Sequence, residues 1–188
     1  MTETIKNIFQ YSEIISNVVK GTVVTDKDNN IINLDDAIRL SIDLLIKTDT
    51  SDNNIIISAN GGSAAIASHL QNDLVKACKL RSMVFTEQPL LTAISNDLGY
   101  EHAYEIPLSV WGKRGDVFIA ISSSGESKNI INAVQVAKKK LMTIITYSGF
   151  NEDNPLRRLG DVNFYSKFSE YGIIENSHSI LTHYITDE

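Results

Sequence analysis

Two groups of histidine and carboxylate residues have a spacing that could bind a metal ion. His69 and Asp73 are four residues apart in a helical pattern, so their side chains share one helix face. Glu175, His178 and His183 lie on another helical segment, near the end of the sequence. Imidazole and carboxylate groups at helical spacing are ligands for zinc and other divalent cations. Taken alone, His69 and Asp73 also fit a hydrogen-bonded pair on the protein surface.

Two glycine- and serine-rich segments, "SANGGSAA" and "ISSSGESKN", each follow an apolar run and precede a helical pattern. Glycine lets the backbone turn sharply and approach a ligand closely. Backbone N–H groups at the start of the following helix can bind an anion, and serine hydroxyls add donors. The segments therefore predict a cradle for a phosphate or a sugar, although turns and helix caps alone would explain them too. Neither matches a dinucleotide or Walker fingerprint, which favours a small phosphorylated ligand.

Short β-branched runs alternate with helical segments from residue 55 onward. We predict strands at 55–58, 82–85, 116–121, 142–147 and 162–165, and helices at 63–78, 89–95, 100–111, 126–139 and 173–186, with a short turn near 154–160. This alternation predicts a three-layer α/β/α sandwich, flavodoxin-like, around five parallel strands. Ligands of such sheets bind at the carboxyl ends of the strands, where both glycine-serine segments would lie.

The first 50 residues are predicted to form two helices that precede this α/β core at 51–188, all in a single domain. Residues 3–20 form an amphipathic pattern with an apolar stripe of Ile5, Ile8, Phe9, Ile15 and Val19. A second helix is predicted for "LDDAIRLSIDLLIK", where Asp35 and Asp36 suit the first turn. Between the helices, "GTVVTDKDNN" is predicted to be a loop.

The charge and cysteine content narrow the function classes. With 17 basic and 23 acidic residues, the net charge of −6 argues against a nucleic-acid-binding surface. The basic run Lys138–Lys140 falls at a predicted helix end, where cations favour the helix dipole. No apolar run is long enough to span a membrane. The single cysteine, Cys78, excludes an intramolecular disulfide and fits a reducing cytoplasm.

Several motifs resemble those of a known enzyme family. "ISSSGESKNIINAVQVAKKK" resembles the serine-rich signature of SIS (sugar isomerase) domains. Together, "NGGSAAIASHLQNDL", "ISNDLGYE", "GDVFIAISSSGES" and "ENSHSILTH" resemble phosphoheptose isomerases, over nearly the whole chain. Those enzymes interconvert sedoheptulose 7-phosphate and a manno-heptose 7-phosphate at the start of nucleotide-heptose synthesis, for surface polysaccharides. The resemblance therefore implies an aldose–ketose isomerase of a small phosphorylated sugar, in the cytoplasm.

The resemblance also implies site residues, a metal and an assembly. The residues implied to hold the sugar phosphate are Asn60, Gly61, Gly62, Ser63, Asn96, Asp97, Ser122, Ser123, Ser124 and Ser127. The implied metal ligands, for zinc or another divalent ion, are His69, Asp73, Glu175 and His183. Catalytic roles are implied for Asp73, Glu175 and His183. The family's active sites lie between the subunits of a homotetramer. Asn96 and Asp97 also fit a plain turn at a helix end before Gly99.

Two of the four metal positions depart from the family pattern. Asp73 stands where the family has glutamate, and Glu175 stands where it has glutamine. The added charge would weaken a bound metal as a Lewis acid, and Glu175 could take over the proton-carrying role of the longer carboxylate. Because Glu175 and His183 are about 12 Å apart along one helix, His69 and Asp73 must come from another helix or another subunit.

The departures keep two alternatives to the heptose reaction open. One alternative is a SIS isomerase that acts on a different sugar phosphate. The other is a non-catalytic SIS module that binds a sugar phosphate or a protein partner.

Overall fold

The computed structural model of the protein describes residues 7–188, with a mixed sheet at its centre. The strands are β1 (Val23–Asp26), β2 (Ile31–Ile32), β3 (Ile55–Ala59), β4 (Ser82–Val84), β5 (Val117–Ser122), β6 (Thr143–Ser148) and β7 (Val162–Tyr165). The helices are α1 (Ile8–Lys20), α2 (Leu34–Thr50), α3 (Gly61–Lys76), α4 (Gln88–Asp97), α5 (Glu105–Trp111), α6 (Lys128–Lys139) and α7 (Tyr171–Asp187). Short 3₁₀ turns lie at Tyr100–His102 and Pro155–Arg158.

The five predicted parallel strands are confirmed, in the order β4-β3-β5-β6-β7 within the longer sheet β2-β1-β7-β6-β5-β3-β4. Every residue of β3 and β5 is buried, as their continuous apolar runs predict. Successive side chains point to opposite faces of the sheet. Ile55 and Ile57 thus pack with buried residues of α2, α3 and α7, whereas Ile56 packs with buried residues of α5 and α6. The predicted three-layer sandwich is therefore confirmed.

The prediction of a loop over "GTVVTDKDNN" was wrong, and the sheet gains two strands there. β1 pairs antiparallel with β7, with Val24 opposite Phe164, and β2 pairs antiparallel with β1. The turn between them is built by Asp26, whose Oδ1 accepts hydrogen bonds from the N–H groups of Asp28 (2.8 Å) and Asn30 (2.9 Å). A four-residue strand beside a polar turn is too short to give a periodic signal, so the turn residues dominated the pattern.

The leading helix is shorter in the described part of the chain than the predicted 3–20, because residues 1–6, including Ile5 of the stripe, lie outside it. Asn7 caps α1 by accepting a hydrogen bond from the Gln10 N–H. Val18, with the half-buried Ile15, packs against the start of α7. Two other stripe residues remain exposed, Ile8 at 67% and Phe9 at 83%.

The predicted single helix at 100–111 is divided into a 3₁₀ turn and α5. Of the helices in the described range 7–188, none combines the length and apolar character that crossing a membrane requires.

Candidate active site

A pocket of about 270 Å³ lies where β3 and β5 end and where α3, α6 and α7 begin. It brings the two glycine-serine segments together, as the parallel sheet predicts. The residues that line it are Asn60, Gly61, Gly62, Ser63, Ile121, Ser122, Ser123, Ser124, Ser127, Tyr171 and Glu175. Eight of the ten residues predicted to hold a sugar phosphate are therefore neighbours in space.

Two helices begin at this pocket without the side-chain cap that their first residues could supply. Asn60 precedes α3 and Ser127 precedes α6, and both are typical N-cap residues, yet neither side chain bonds to its own helix. The Asn60 amide instead bonds to Asn129, and the Ser127 hydroxyl accepts a hydrogen bond from Ser122 (3.2 Å). At the start of α6 the Ile130 N–H is bonded to Asn129 Oδ1 (2.9 Å), which leaves the N–H groups of Lys128 and Asn129 available to an anion in the pocket.

The hydroxyl groups of the pocket are arranged as neutral donors. Ser63 and Ser123 have their Oγ atoms 3.4 Å apart, and the Ser124 Oγ accepts a hydrogen bond from the Glu126 N–H at 3.2 Å. The Ser124 hydroxyl therefore keeps its own proton for a ligand. No lysine or arginine of residues 7–188 lines the pocket, so an anion would be held by dipoles and hydroxyls rather than by a cation.

Glu175 extends from the first turns of α7 to cover the glycine segment. A Cβ atom on Gly62 would overlap both carboxylate oxygens of Glu175, so only glycine permits this approach. The Glu175 side chain is half-buried, and its carboxylate forms no hydrogen bond or ion pair with any residue in the described range. An unpaired carboxylate thus faces the ligand space next to a helix N-terminus.

Three of the four predicted metal ligands meet farther along α3 and α7. The Asp73 Oδ2 atom is 3.4 Å from His69 Nε2 and 3.4 Å from His183 Nδ1. The two imidazole rings meet edge to face, with centroids 4.7 Å apart. Because α3 and α7 pack against each other, all three residues come from a single chain. Glu175 is not in this group.

The donor atoms of His69, Asp73 and His183 form a group that could hold a divalent metal ion. All three ligand atoms lie within 4.8 Å of one another. Nitrogen and oxygen ligands about 2.0–2.1 Å from a tetrahedral zinc ion are separated by about 3.4 Å. That separation matches both distances from Asp73. The His69 side chain is 58% exposed, so the group can be reached from outside the chain.

Asn96 and Asp97 lie apart from the pocket in this chain. Both are exposed at the end of α4, where the Asn96 Nδ2 donates to Asp97 Oδ1 at 2.8 Å. Gly99 follows with a φ of +105°, which suits the helix-end turn that the sequence also allowed. The pair is therefore not part of a sugar-phosphate site formed by one subunit alone.

Three residues of the site were missed by the sequence reasoning. Asn129 and Tyr100 both bond to the Asn60 amide, and Tyr171 lines the pocket. Asn129 could have been found as a polar residue on the buried face of α6. The sequence gives no comparable signal for Tyr100 or Tyr171, since their roles depend on contacts between distant segments.

His178 is buried in the protein interior and does not belong to the group of His69, Asp73 and His183. It is fully buried, with its Nε2 3.2 Å from the Ser148 carbonyl oxygen and its ring edge-to-face with Tyr147. Burial lowers the pKa of His178 from 6.5 to about 4, because the charged ring would lose its hydration. The neutral imidazole therefore joins α7 to the end of β6.

Comparison with known proteins assigns the family. Residues 23–149 match the SIS domain model. The chain is 34% identical over 175 residues to the phosphoheptose isomerase of Sulfurimonas denitrificans, which covers 90% of this chain and 87% of that protein. The chain belongs to the phosphoheptose isomerase family. The phosphoheptose isomerase of Helicobacter pylori strain 26695 is 30% identical and covers 93% of this chain and 95% of its own.

A solved member of the phosphoheptose isomerase family shares the fold. The structure of the Neisseria gonorrhoeae enzyme superposes with a TM-score of 0.80 at 26% identity, covering 95% of this chain and 92% of that one. The resemblance predicted from the motifs is thus confirmed. Glu175 and His183 lie beyond residues 23–149, so the SIS model contains only part of the site of this family member.

Proposed function

We propose that the protein is an aldose–ketose isomerase that interconverts sedoheptulose 7-phosphate and manno-heptose 7-phosphate, for nucleotide-heptose synthesis. Membership in the phosphoheptose isomerase family supports isomerase activity. The observation that carries the proposal within this chain is the pocket itself. It combines a neutral anion cradle, made by the serine loop and the start of α6, with the unpaired carboxylate of Glu175 over the start of α3.

The charge of Glu175 orients the substrate within the pocket. Its carboxylate covers the glycine segment at the start of α3, where it repels a second anion. The serine loop Ser122–Ser127 and the start of α6 are then the place for the phosphate group. The reacting carbon atoms extend toward Glu175, and binding of the remote phosphate holds them there.

Glu175 is the proposed base. Its carboxylate accepts the proton from the carbon next to the carbonyl group, and the electrons of that C–H bond form the double bond of the enediolate. The proton then returns to the neighbouring carbon, which gives the isomeric sugar. The resemblance implies His183 as a further catalytic residue, but its ring lies with His69 and Asp73, farther along α7 than Glu175. Asp73 lies between two imidazole rings, which makes it a ligand and positioning group for them rather than the first choice of base.

We propose a divalent metal ion, with zinc as the first candidate, at His69, Asp73 and His183. Glu175, which the family resemblance implied as a fourth ligand, lies outside this group and is assigned the role of base instead. When bound, such an ion supplies Lewis-acid polarisation of a substrate oxygen. The carboxylates at positions 73 and 175 add more negative charge than the family pattern has, so the ion would be a weaker acid here. The three-residue group also keeps His183 in a fixed orientation.

We also propose a homotetramer whose sites are shared between subunits, in the cytoplasm. Ile8 and Phe9 are exposed apolar side chains on α1, which suits a helical interface. Asn96 and Asp97 are exposed on α4, so a neighbouring subunit could receive them as part of its pocket. Light scattering at micromolar concentration should give four times the 20.8 kDa mass of the chain. A monomer would contradict the shared site.

The departure at Glu175 favours one second candidate, isomerisation of a different phosphorylated sugar. A panel of heptulose, hexulose and pentulose phosphates in D₂O, followed by NMR, distinguishes the candidates. We expect deuterium to enter the carbon next to the carbonyl of sedoheptulose 7-phosphate, together with the manno-heptose product. Exchange with only a shorter sugar would assign the second candidate. Binding without any exchange would indicate a non-catalytic module.

A further inference from the structure

Tyr171 is an aromatic residue at the pocket whose side chain remains largely exposed to solvent. It is the first residue of α7, and 61% of its surface is accessible. The described residues that line the pocket are otherwise glycine, serine, asparagine, Ile121 and Glu175. Tyr171 is therefore the one aromatic residue among the described residues that line this pocket.

The Tyr171 ring is held in place by Phe150, which itself has a strained backbone. The two rings meet edge to face, with centroids 4.8 Å apart and an interplanar angle of 71°. Phe150 has a φ of +55°, a left-handed conformation that is costly for a bulky residue and is found mainly where the surroundings enforce it. The enforcing contacts are hydrogen bonds from the Phe150 N–H to the Phe168 carbonyl (3.0 Å) and from the Tyr165 hydroxyl to the Phe150 carbonyl (2.8 Å).

We propose that Tyr171 is a specificity-determining residue whose ring contacts the carbon chain of the sugar phosphate, with Phe150 as its positioning residue. This inference rests on the isomerase function proposed above. An aromatic face carries partial negative charge, so it attracts the weakly positive C–H groups of a sugar and offers nothing to a phosphate. Tyr171 would thus distinguish a sugar phosphate from a free phosphate ion, which the serine loop alone cannot do.

The test compares two probes on the same variants by calorimetry, sedoheptulose 7-phosphate and inorganic phosphate. Tyr171→Ala should weaken binding of the sugar phosphate by roughly tenfold and leave inorganic phosphate unchanged, since one aromatic contact is worth about that much. Tyr171→Phe should bind the sugar phosphate almost as the parent protein does. Trp111→Ala is the control, because Trp111 is an exposed aromatic residue (60%) before β5, at the opposite edge of the sheet.

A double-mutant cycle tests the role of Phe150. Phe150→Leu keeps an apolar side chain next to Ile173 and Ile174 but removes the ring, and unfolding curves check that the variant is folded. It should raise KM for the sugar phosphate with little change in kcat, and it should have no further effect when Tyr171 is already alanine. Additive effects would overturn the positioning role.

The outcomes separate this inference from the proposed function. Equal losses for both probes in Tyr171→Ala, or no loss for the sugar phosphate, would overturn the specificity role. If the parent protein binds the sugar phosphate but does not isomerise it, the proposed function is wrong, while the comparison of the two probes still decides the role of Tyr171. If the parent protein binds inorganic phosphate and no sugar phosphate, the specificity role is overturned as well.

Discussion

Asn60 and Asn129 exchange two hydrogen bonds of 2.9 Å, one from each side-chain amide to the other. Asn60 precedes α3 and Asn129 lies in the first turn of α6, so the pair joins the two glycine-serine segments across the carboxyl edge of the sheet. The Tyr100 hydroxyl donates a third bond, of 2.7 Å, to Asn60 Oδ1. Asn60, predicted as a ligand for the sugar phosphate, thus has most of its amide engaged within the protein.

Asn129→Ala should loosen the anion cradle. Its removal leaves the Asn60 amide without its reciprocal partner, which should lower the free energy of unfolding by about 1–3 kcal/mol and weaken sugar-phosphate binding. Asn132→Ala is a matched control, because Asn132 lies on the same helix and its side chain, among residues 7–188, bonds only to the Glu101 carbonyl (3.0 Å). Urea unfolding gives the free energy of unfolding, and calorimetry gives the affinity for the sugar phosphate. Equal effects of the two variants would show that Asn129 does not stabilise the anion cradle through Asn60.

Ser124→Ala should weaken binding of the sugar phosphate by roughly 1.5–3 kcal/mol, the worth of a hydrogen bond to a charged group. The Ser124 Oγ accepts a bond from the Glu126 N–H and keeps its proton for a ligand. Ser109→Ala, on α5, changes a serine whose hydroxyl bonds to the Ile106 carbonyl and serves as control. Unchanged affinity of the Ser124 variant in calorimetry would exclude its hydroxyl from the site.

His69→Ala should remove most of the affinity for zinc. A direct ligand should matter more than a partner that merely supports a ligand, so the loss should exceed about 100-fold. His102 supplies the control, because it pairs with the Glu105 carboxylate and yet belongs to no three-ligand group among residues 7–188. Metal content after dialysis measures the effect. Equal zinc retention by the two alanine variants would argue against a metal at His69.

Glu175→Gln separates the base from the ligand role. If Glu175 is the base, glutamine should slow proton exchange by about 10²–10⁴-fold while zinc content is retained, since the three-residue group does not include position 175. Glu170→Gln, at the exposed start of α7, is the control for loss of one negative charge. A fall in zinc affinity that matches the fall in rate would instead make Glu175 a metal ligand.

His178 should make the fold less stable in mild acid. Its folded-state pKa of about 4 lies below the ordinary 6.5, so the unfolded chain binds a proton that the folded protein excludes. The contribution of neutral His178 to the free energy of unfolding is therefore fully present above pH 6.5 and is lost as the pH drops toward 4. Between pH 8 and pH 5 the free energy of unfolding should fall by about 2 kcal/mol. Urea unfolding measures the free energy of unfolding at pH 8 and at pH 5. The difference between these two values should be smaller for His178→Gln than for the control His102→Gln. Identical pH dependence would contradict this account.

The parallel strands and most of the residues that line the pocket could be predicted from the sequence. The same physical reasons explain why other contacts of the site could not. Continuous apolar runs such as "VFIAI" need burial on both sides, and parallel strands place their carboxyl ends together, so both glycine-serine segments were expected at one edge of the sheet. The strand order that makes them neighbours came from the structure. Glu175 over Gly62 and Phe150 beside Tyr171 are contacts between distant segments, set by how α7 packs. Helical spacing predicted on which helix face His69 and His183 lie, but it did not predict which residues of other helices they would contact.

The hairpin of β1 and β2 determines which strand edges of the sheet are exposed to other chains. It covers β7, so the outermost strands of the described chain are β2 with two residues and β4 with three. Neither exposes enough backbone to template strand addition by a second molecule, and Asp26, Asp28 and Lys27 charge the hairpin turn. Edge-to-edge aggregation of the sheet is thereby disfavoured, which is compatible with the helical interface proposed for α1.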